Sequence, residues 1–244
     1  PTPHSNPITP HPMKPILALL AFFISLNASA CNLEGSGHPK SEQRNLPAFN
    51  GIDLRCGANV IVAQGDKQDV RIEADDNLLS KITTEVKNDE LVIDFTRDFR
   101  SKSGVNIYIT MPALCLVELT GSGNITATGT FSCDFLNLRL SGSGDIKGRF
   151  EAKSLKAALA GSGTMSLSGS VAESDIRISG SGNINARELK MFTSAISITG
   201  SGNTEVDVAN NLKVDITGSG NVYYVSEPAH LQTRITGSGN VGKV

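Results

Sequence analysis

The chain has 244 residues, a formal net charge of -2 and 39% hydrophobic residues, enough for a real core and without the basic excess that nucleic-acid binding requires. Aromatic residues make up only 5% and Trp is absent. The interior must therefore be built from Ile, Val and Leu, which suits narrow stacked β-layers better than a broad globular core.

Residues 1–12, Pro-rich and ahead of Met13, are set aside from the fold as upstream translation or a cloning remnant. Lys14, the apolar run 16–26 and Asn27-Ala28-Ser29-Ala30-Cys31 then read as an export signal, the run being too short to span a bilayer. Two cleavage readings stay open. Ala28-Ser29-Ala30 suits ordinary signal peptidase and gives a secreted or periplasmic protein. Cys31 directly after it suits a bacterial lipobox, although Ala28 stands where Leu is more frequent; this makes Cys31 the lipidated residue of a cell-envelope, outer-membrane lipoprotein. Residues 31–45, polar after the Cys, are expected as a flexible tether between a lipid anchor and the folded part. Cys56, Cys115 and Cys133 remain for the mature protein, an odd number that leaves at least one free thiol. Cys115 and Cys133 lie in apolar stretches as small core residues, with no metal-ligand spacing.

Across residues 46–115 strand candidates recur at Ile52, Val60 to Val62, Val70 to Ile72, Leu91 to Ile93 and Val105 to Ile109, at a spacing of roughly ten residues. Asp75 to Lys87 has some helical character, though Ile82 to Val86 could equally be a strand. Asn88-Asp89 is placed to turn a hairpin between residues 84–87 and 91–95. This part is expected as an irregular β-region that leads into, and caps, a regular stack.

Residues 116–244 are a repeat. Gly-Ser-Gly-Asn or a near variant starts at Gly121, Gly142, Gly161, Gly180, Gly200, Gly218 and Gly237, so the starts are 21, 19, 19, 20, 18 and 19 residues apart. Alternating apolar runs flank each turn and place Leu138 and Leu140, Ile176 and Ile178, Ile196 and Ile198, and Val214 and Ile216 on one face. One such coil cannot bury that face, but stacked coils can, so the pattern predicts a parallel β-helix with coils of about 19 residues. The corner residues are Gly121, Gly123 and Asn124; Gly142, Gly144 and Asp145; Gly161 and Gly163; Gly180, Gly182 and Asn183; Gly200, Gly202 and Asn203; Gly218, Gly220 and Asn221; and Gly237, Gly239 and Asn240. Gly supplies positive φ or close approach, and stacked Asn side chains are expected to form an amide ladder. The repeat runs to Val244, which suggests self-association through the strand edges of an open last coil.

Catalytic parts are few. Of four histidines, His4 and His11 precede the signal and His38 lies in the tether, leaving His230 as a plain loop residue after Pro228. The serial Ser-Gly-Ser-Gly turns are neither a nucleophile elbow nor a dinucleotide fingerprint. Calcium-binding β-rolls carry regular Asp at a period of about nine residues, whereas the turns here carry mostly neutral Asn, so no metal or cofactor is expected. Glu118, Asp134, Glu151, Glu173, Asp175, Glu188, Glu205, Asp207 and Asp215 are the carboxylates a glycan-active enzyme would draw on. They read instead as a solvated outer face interleaved with Arg139, Lys147, Arg149 and Arg177, with Glu205 and Asp207 flanking Val206. Tyr223 and Tyr224 follow a turn, so one ring faces out, where it could contact a ligand.

Phe49-Asn50-Gly51-Ile52, Val60 to Gly65, Val105 to Leu114 with Pro112, and the serial Gly-Ser-Gly turns together resemble the putative auto-transporter adhesin, head GIN domain family over nearly all of residues 46–244. That resemblance implies an exported bacterial protein, often a lipoprotein, with a right-handed parallel β-helix. The expectation is thus an all-β, non-enzymatic envelope protein that binds a protein or carbohydrate partner, with a glycan-active enzyme or a self-associating structural protein as alternatives.

Overall fold

A computed structural model describes residues 33–244; the signal segment and Cys31 lie outside the described residues. The chain begins with β1 (Leu33–Glu34) and β2 (Pro39–Gln43), then β3 (Gly51–Leu54), β4 (Asn59–Gln64) and β5 (Asp69–Asp75). A single 3-10 turn, Leu79–Lys81, precedes β6 (Ile82–Lys87), β7 (Glu90–Phe95), β8 (Phe99–Arg100), β9 (Asn106–Met111) and β10 (Leu116–Gly121). The strands then lengthen into β11 (Asn124–Gly142), β12 (Asp145–Gly161), β13 (Thr164–Gly180), β14 (Asn183–Gly200) and β15 (Asn203–Gly218), followed by β16 (Asn221–Tyr224), β17 (His230–Gly237) and β18 (Asn240–Lys243).

These strands form a β-solenoid of about 7 turns. Each long strand bends round a coil, so that its start belongs to one flank and its end to another. The first flank stacks β9, β4, the starts of β11 to β15, β16 and β18; the second stacks β7, β3, β10, the ends of β11 to β15, and β17. All of these pairings are parallel. Inward residues repeat in columns, such as Leu138, Ala157, Ile176, Ile196 and Val214, every one buried. A neighbouring column reads Leu136, Leu155, Ser174, Ser194 and Leu212. Its two buried serines satisfy each other, Ser174 Oγ donating to Ser194 Oγ at 2.7 Å, so the polar defect is closed within the core.

The Gly-Ser-Gly corner has two distinct reasons for its glycines. Gly142 has φ of +132°, a conformation L side chains rarely adopt. Gly144 does not, but a Cβ there would lie 2.1 Å from the carbonyl oxygen of Gly123 in the turn beneath. The close approach is what lets turn bond to turn: the N–H groups of Ser143 and Gly144 both donate to Gly121 O, at 3.0 and 3.2 Å.

Two differences from the sequence reading concern the N-terminal part. The parallel stack starts two layers before the first Gly-Ser-Gly, because β3–β4 and β7–β9 are already coils, and the antiparallel pairs are β2 with β5, β5 with β9, and β6 with β7. Among them, β6 and β7 form the hairpin that Asn88-Asp89 predicts, both turn residues having positive φ (51° and 62°). Residues expected in a free tether are paired, β1 with β8 and β2 with β5. The reason is Asp75, fully buried, whose carboxylate accepts from Gly37 N–H (2.9 Å), Ser101 Oγ (2.7 Å), Lys102 N–H (2.9 Å) and Ser103 Oγ (2.8 Å). It clamps the incoming segment to the loop after β8. Burial by itself would raise the Asp75 pKa, but the hydroxyls of Ser101 and Ser103 and the N–H groups of Lys102 and Ser103 outweigh it and hold the carboxyl well below the usual range.

Candidate ligand-binding face

The residue after each corner points outward on the first flank, and register aligns nine of them: Asn106, Asn59, Asn124, Asp145, Thr164, Asn183, Asn203, Asn221 and Asn240. The expected amide ladder is present in two runs. Asn59 donates to Asn106 (3.2 Å) and Asn124 to Asn59 (3.0 Å); Asn203 donates to Asn183 (3.1 Å) and Asn221 to Asn203 (2.7 Å). It breaks at Asp145 and Thr164, where no amide exists to continue it. Asn59 and Asn106 escaped the sequence reading although Gly57-Ala58-Asn59-Val60 and Gly104-Val105-Asn106-Ile107 carry the end of the same motif, each keeping one Gly and the Asn-aliphatic step.

Two residues further on, a second outward row runs Tyr108, Ile61, Thr126, Lys147, Ser166, Asn185, Glu205 and Tyr223. Its two aromatic members differ. Tyr108 is covered by the Arg71 guanidinium, 4.4 Å from the ring centroid, whereas Tyr223 is half-buried and lines an open depression of about 540 Å³ with Asn185, Asn203, Glu205 and Asn221. Tyr224 is turned inward and buried. A second depression of about 550 Å³ adjoins Asn59, Asn124, Asp145, Lys147 and Ser166, and a third of about 520 Å³ lies at the corner beyond Lys147, Ser166 and Asn185. Recesses edged by polar side chains thus follow one another along the first flank and its corner.

The family model for the putative auto-transporter adhesin, head GIN domain matches residues 48–228. The chain belongs to that family. A putative adhesin from Bacteroides fragilis superposes with a TM-score of 0.83 at 22% identity, over 87% of this chain and 100% of its own. A putative lipid binding protein from Parabacteroides distasonis gives 0.75 at 24% identity (87% and 99% covered), and a putative adhesin from the same organism 0.71 at 26% (87% and 100%). No curated protein matches the chain.

In this head GIN domain chain the carboxylates singled out from sequence are dispersed rather than gathered. Glu118 faces Arg139 (3.9 Å), Asp134 faces Lys153 (2.9 Å), Asp175 faces Arg177 (2.9 Å), Glu205 faces Arg187 (3.3 Å) and Asp215 faces Lys213 (3.9 Å). Asp207 corrects the expectation of an outward carboxylate. The register of β14 and β15 shifts after Ala186, and Asp207 is buried, held by Lys190. Burial pushes its pKa up, yet hydrogen bonds from Lys190 and Ser226 win and lower it. His230 lies exposed on β17.

One acidic grouping was invisible in sequence: Asp53 on β3, Glu90 at the start of β7 and Glu118 on β10, with carboxylate oxygens within 4.8 Å of one another. Stacking alone brings them together, since Asp53 registers with Glu118 and Gly51 with Glu90. Burial, then the charges of Glu118 and Asp53, raises the Glu90 pKa. The group is compensated by Arg55, whose Nε and Nη2 lie 2.7 and 2.6 Å from Asp53 Oδ2, and by Arg139. Its most buried carboxylate, Asp53, is thus held by a guanidinium, and the three negative charges are partly neutralised by two arginines.

Proposed function

We propose that the protein is an exported, surface-associated, non-enzymatic binding scaffold, an adhesin, that holds a glycan or a surface protein along its first flank. One observation carries this reading: nine registered outward positions, seven of them Asn, run beside a succession of open recesses. A rigid row of amides and hydroxyls spaced about 4.8 Å apart offers repeated donors and acceptors to an extended ligand lying along the solenoid axis. Family membership supports the adhesin reading over an enzyme, as does the pairing of Glu118, Asp134, Asp175, Glu205 and Asp215 with separate Lys or Arg side chains. The lipobox reading of Cys31 completes it, with the solenoid held at the cell envelope by a lipid anchor; a diacyl or triacyl mass that disappears in Cys31→Ala is the expected result.

The test of the binding role is a glycan array together with pull-down from envelope extracts. Wild type is expected to retain a ligand that Tyr223→Ala, with Asn185→Ala, releases. Blank arrays and blank pull-downs at high protein concentration would remove the proposal. Release of reducing sugar from an envelope glycan, lost on Glu205→Gln, would replace it with the enzyme.

A further inference from the structure

The corner between the first flank and the next face is uneven, and the unevenness is written in the register. Between positions that pair on both sides, β11 runs Thr126 to Thr130 where β12 runs only Lys147 to Arg149, two residues more. Likewise β14 runs Asn185 to Glu188 where β13 runs Ser166 to Ser168, one residue more. Two tight coils therefore lie between two that bulge outward, and bulges of this kind re-aim side chains. The result is the corner recess of about 520 Å³. Three layer spacings, about 14 Å, separate its walls. That size lies within the usual range for a small-ligand pocket, about 300–1,000 Å³.

The floor is cationic. Lys147 and Arg149 both point outward from β12, with the inward Gly148 between them. Among the described residues neither has a carboxylate within ion-pair reach, while Arg187 on the far wall already faces Glu205 at 3.3 Å. Thr130, Ser166 and Ser168 add hydroxyls, and Glu188 on the wall is an acceptor without a cation partner among the described residues. Two unpartnered cations side by side call for an anion, and a guanidinium suits a planar or multi-oxygen one. Hydroxyls and a single carboxylate around them call for ligand hydroxyl groups. Both demands are met by one chemical class, an acidic sugar.

We propose that this recess binds a carboxylate- or sulfate-bearing sugar unit of a polysaccharide, the anionic group on Lys147 and Arg149 and the ring hydroxyls on Ser166, Ser168 and Glu188. The proposal rests on the binding role given above and narrows its ligand. The recess favours a glycan over a bilayer because its cations lie between two bulges, where a flat surface does not reach. Glu188 also disfavours a ligand that carries only phosphates.

The experiment is biolayer interferometry of the full mature chain on immobilised oligogalacturonate, a sulfated glucosamine polymer and a neutral glucan of equal length, with vesicles of anionic phospholipid as a fourth arm. Wild type is expected to bind at least one of the two acidic polymers at least tenfold better than the neutral glucan, and to weaken as salt is raised. Lys147→Gln with Arg149→Gln should lose at least tenfold. Lys156→Gln with Lys213→Gln, the same charge change on the second flank, should lose less than twofold. Equal losses in the two double variants would mean diffuse charge attraction and overturn the proposal, as would vesicle binding stronger than that of either acidic polymer, or no binding of either acidic polymer. Retention of the neutral glucan alone, lost in Tyr223→Ala, would overturn it while leaving the binding role intact.

Discussion

Substituting Ala at two equivalent corners separates the two reasons for glycine in this repeat. Gly121 and Gly142 hold the same place in consecutive turns and have φ of +119° and +132°. A Cβ at Gly121 would meet nothing within 4 Å, whereas a Cβ at Gly142 would lie 2.2 Å from Gly121 O. Gly121→Ala therefore carries only the backbone penalty of a sparsely populated region, about 1–3 kcal/mol. Gly142→Ala adds the parting of two stacked turns by most of an ångström. That loosens the bonds from Ser143 and Gly144 N–H to Gly121 O, each worth about 1 kcal/mol, for a total of about 3–5 kcal/mol. Urea unfolding followed by far-UV circular dichroism gives the two losses. Hydrogen exchange at Ser143 and Gly144 shows whether the turn opens locally in Gly142→Ala. Equal losses at the two corners, with both amides still protected, would refute the stacking argument and leave dihedral strain as the only role of the first glycine.

Asp75 has a depressed folded-state pKa, so its stabilisation is complete above its unfolded value near 3.8 and is lost as pH falls from there through the folded value; Asp75→Asn should flatten the stability profile in that acid range, and an unchanged profile would refute the clamp. Burial pushes the Cys56 thiol up to about 12, and burial with its contact to Cys115 does the same for Cys133, so iodoacetamide near pH 8 should label both slowly until the chain is unfolded, while fast native labelling would contradict their packing. In the ladder, Asn203→Ala removes an acceptor used by both Asn221 N–H (3.1 Å) and Asn221 Nδ2 (2.7 Å) and should lower stability by about 1–2 kcal/mol. Asp145→Asn, restoring an amide above Asn124, should instead raise the urea midpoint; a loss there would show that the ladder contributes nothing at that layer.

The stack was legible because Gly-Ser-Gly-Asn marks one fixed place in each coil, and period-two alternation on either side gives the inward columns directly. The first layers were harder to read. There the corner reads Cys56-Gly57-Ala58 and Ser103-Gly104-Val105, so the Gly-Ser-Gly mark is missing although the strands that follow pair in the same register as the later coils. The inserted β5 and β6 further break the rhythm between β4 and β9. The candidate face was legible in part. Alternation puts one of Tyr223 and Tyr224 outside without saying which, and the Asn row is legible from Asn124 onward but not at Asn59 and Asn106, whereas Asp207 was misplaced because alternation fails where β15 shortens relative to β14. The recess around Lys147 and Arg149 could not be found from any one coil, because it exists only as a difference in corner length between neighbours.

Corner length also bears on how such a scaffold acquires a ligand. Inward columns are constrained layer by layer, since each residue packs on the one beneath and a change of register would turn a buried side chain outward. Outward rows carry no such constraint, but on a perfectly regular stack they make a flat face with little to enclose a ligand. Corner insertions resolve the conflict: two extra residues in β11 and one in β14 leave the columns on both flanks in register while raising walls around β12 and β13. Gly148 and Gly169 make room for Phe150 at the same corner, a Cβ at Gly148 lying 2.6 Å from its ring and one at Gly169 lying 2.0 Å from its carbonyl oxygen. The tight coil that carries Lys147 and Arg149 is thus packed on the buried ring of Phe150, which registers with the equally buried Phe131 of the bulged coil, so the cations stand on a filled corner.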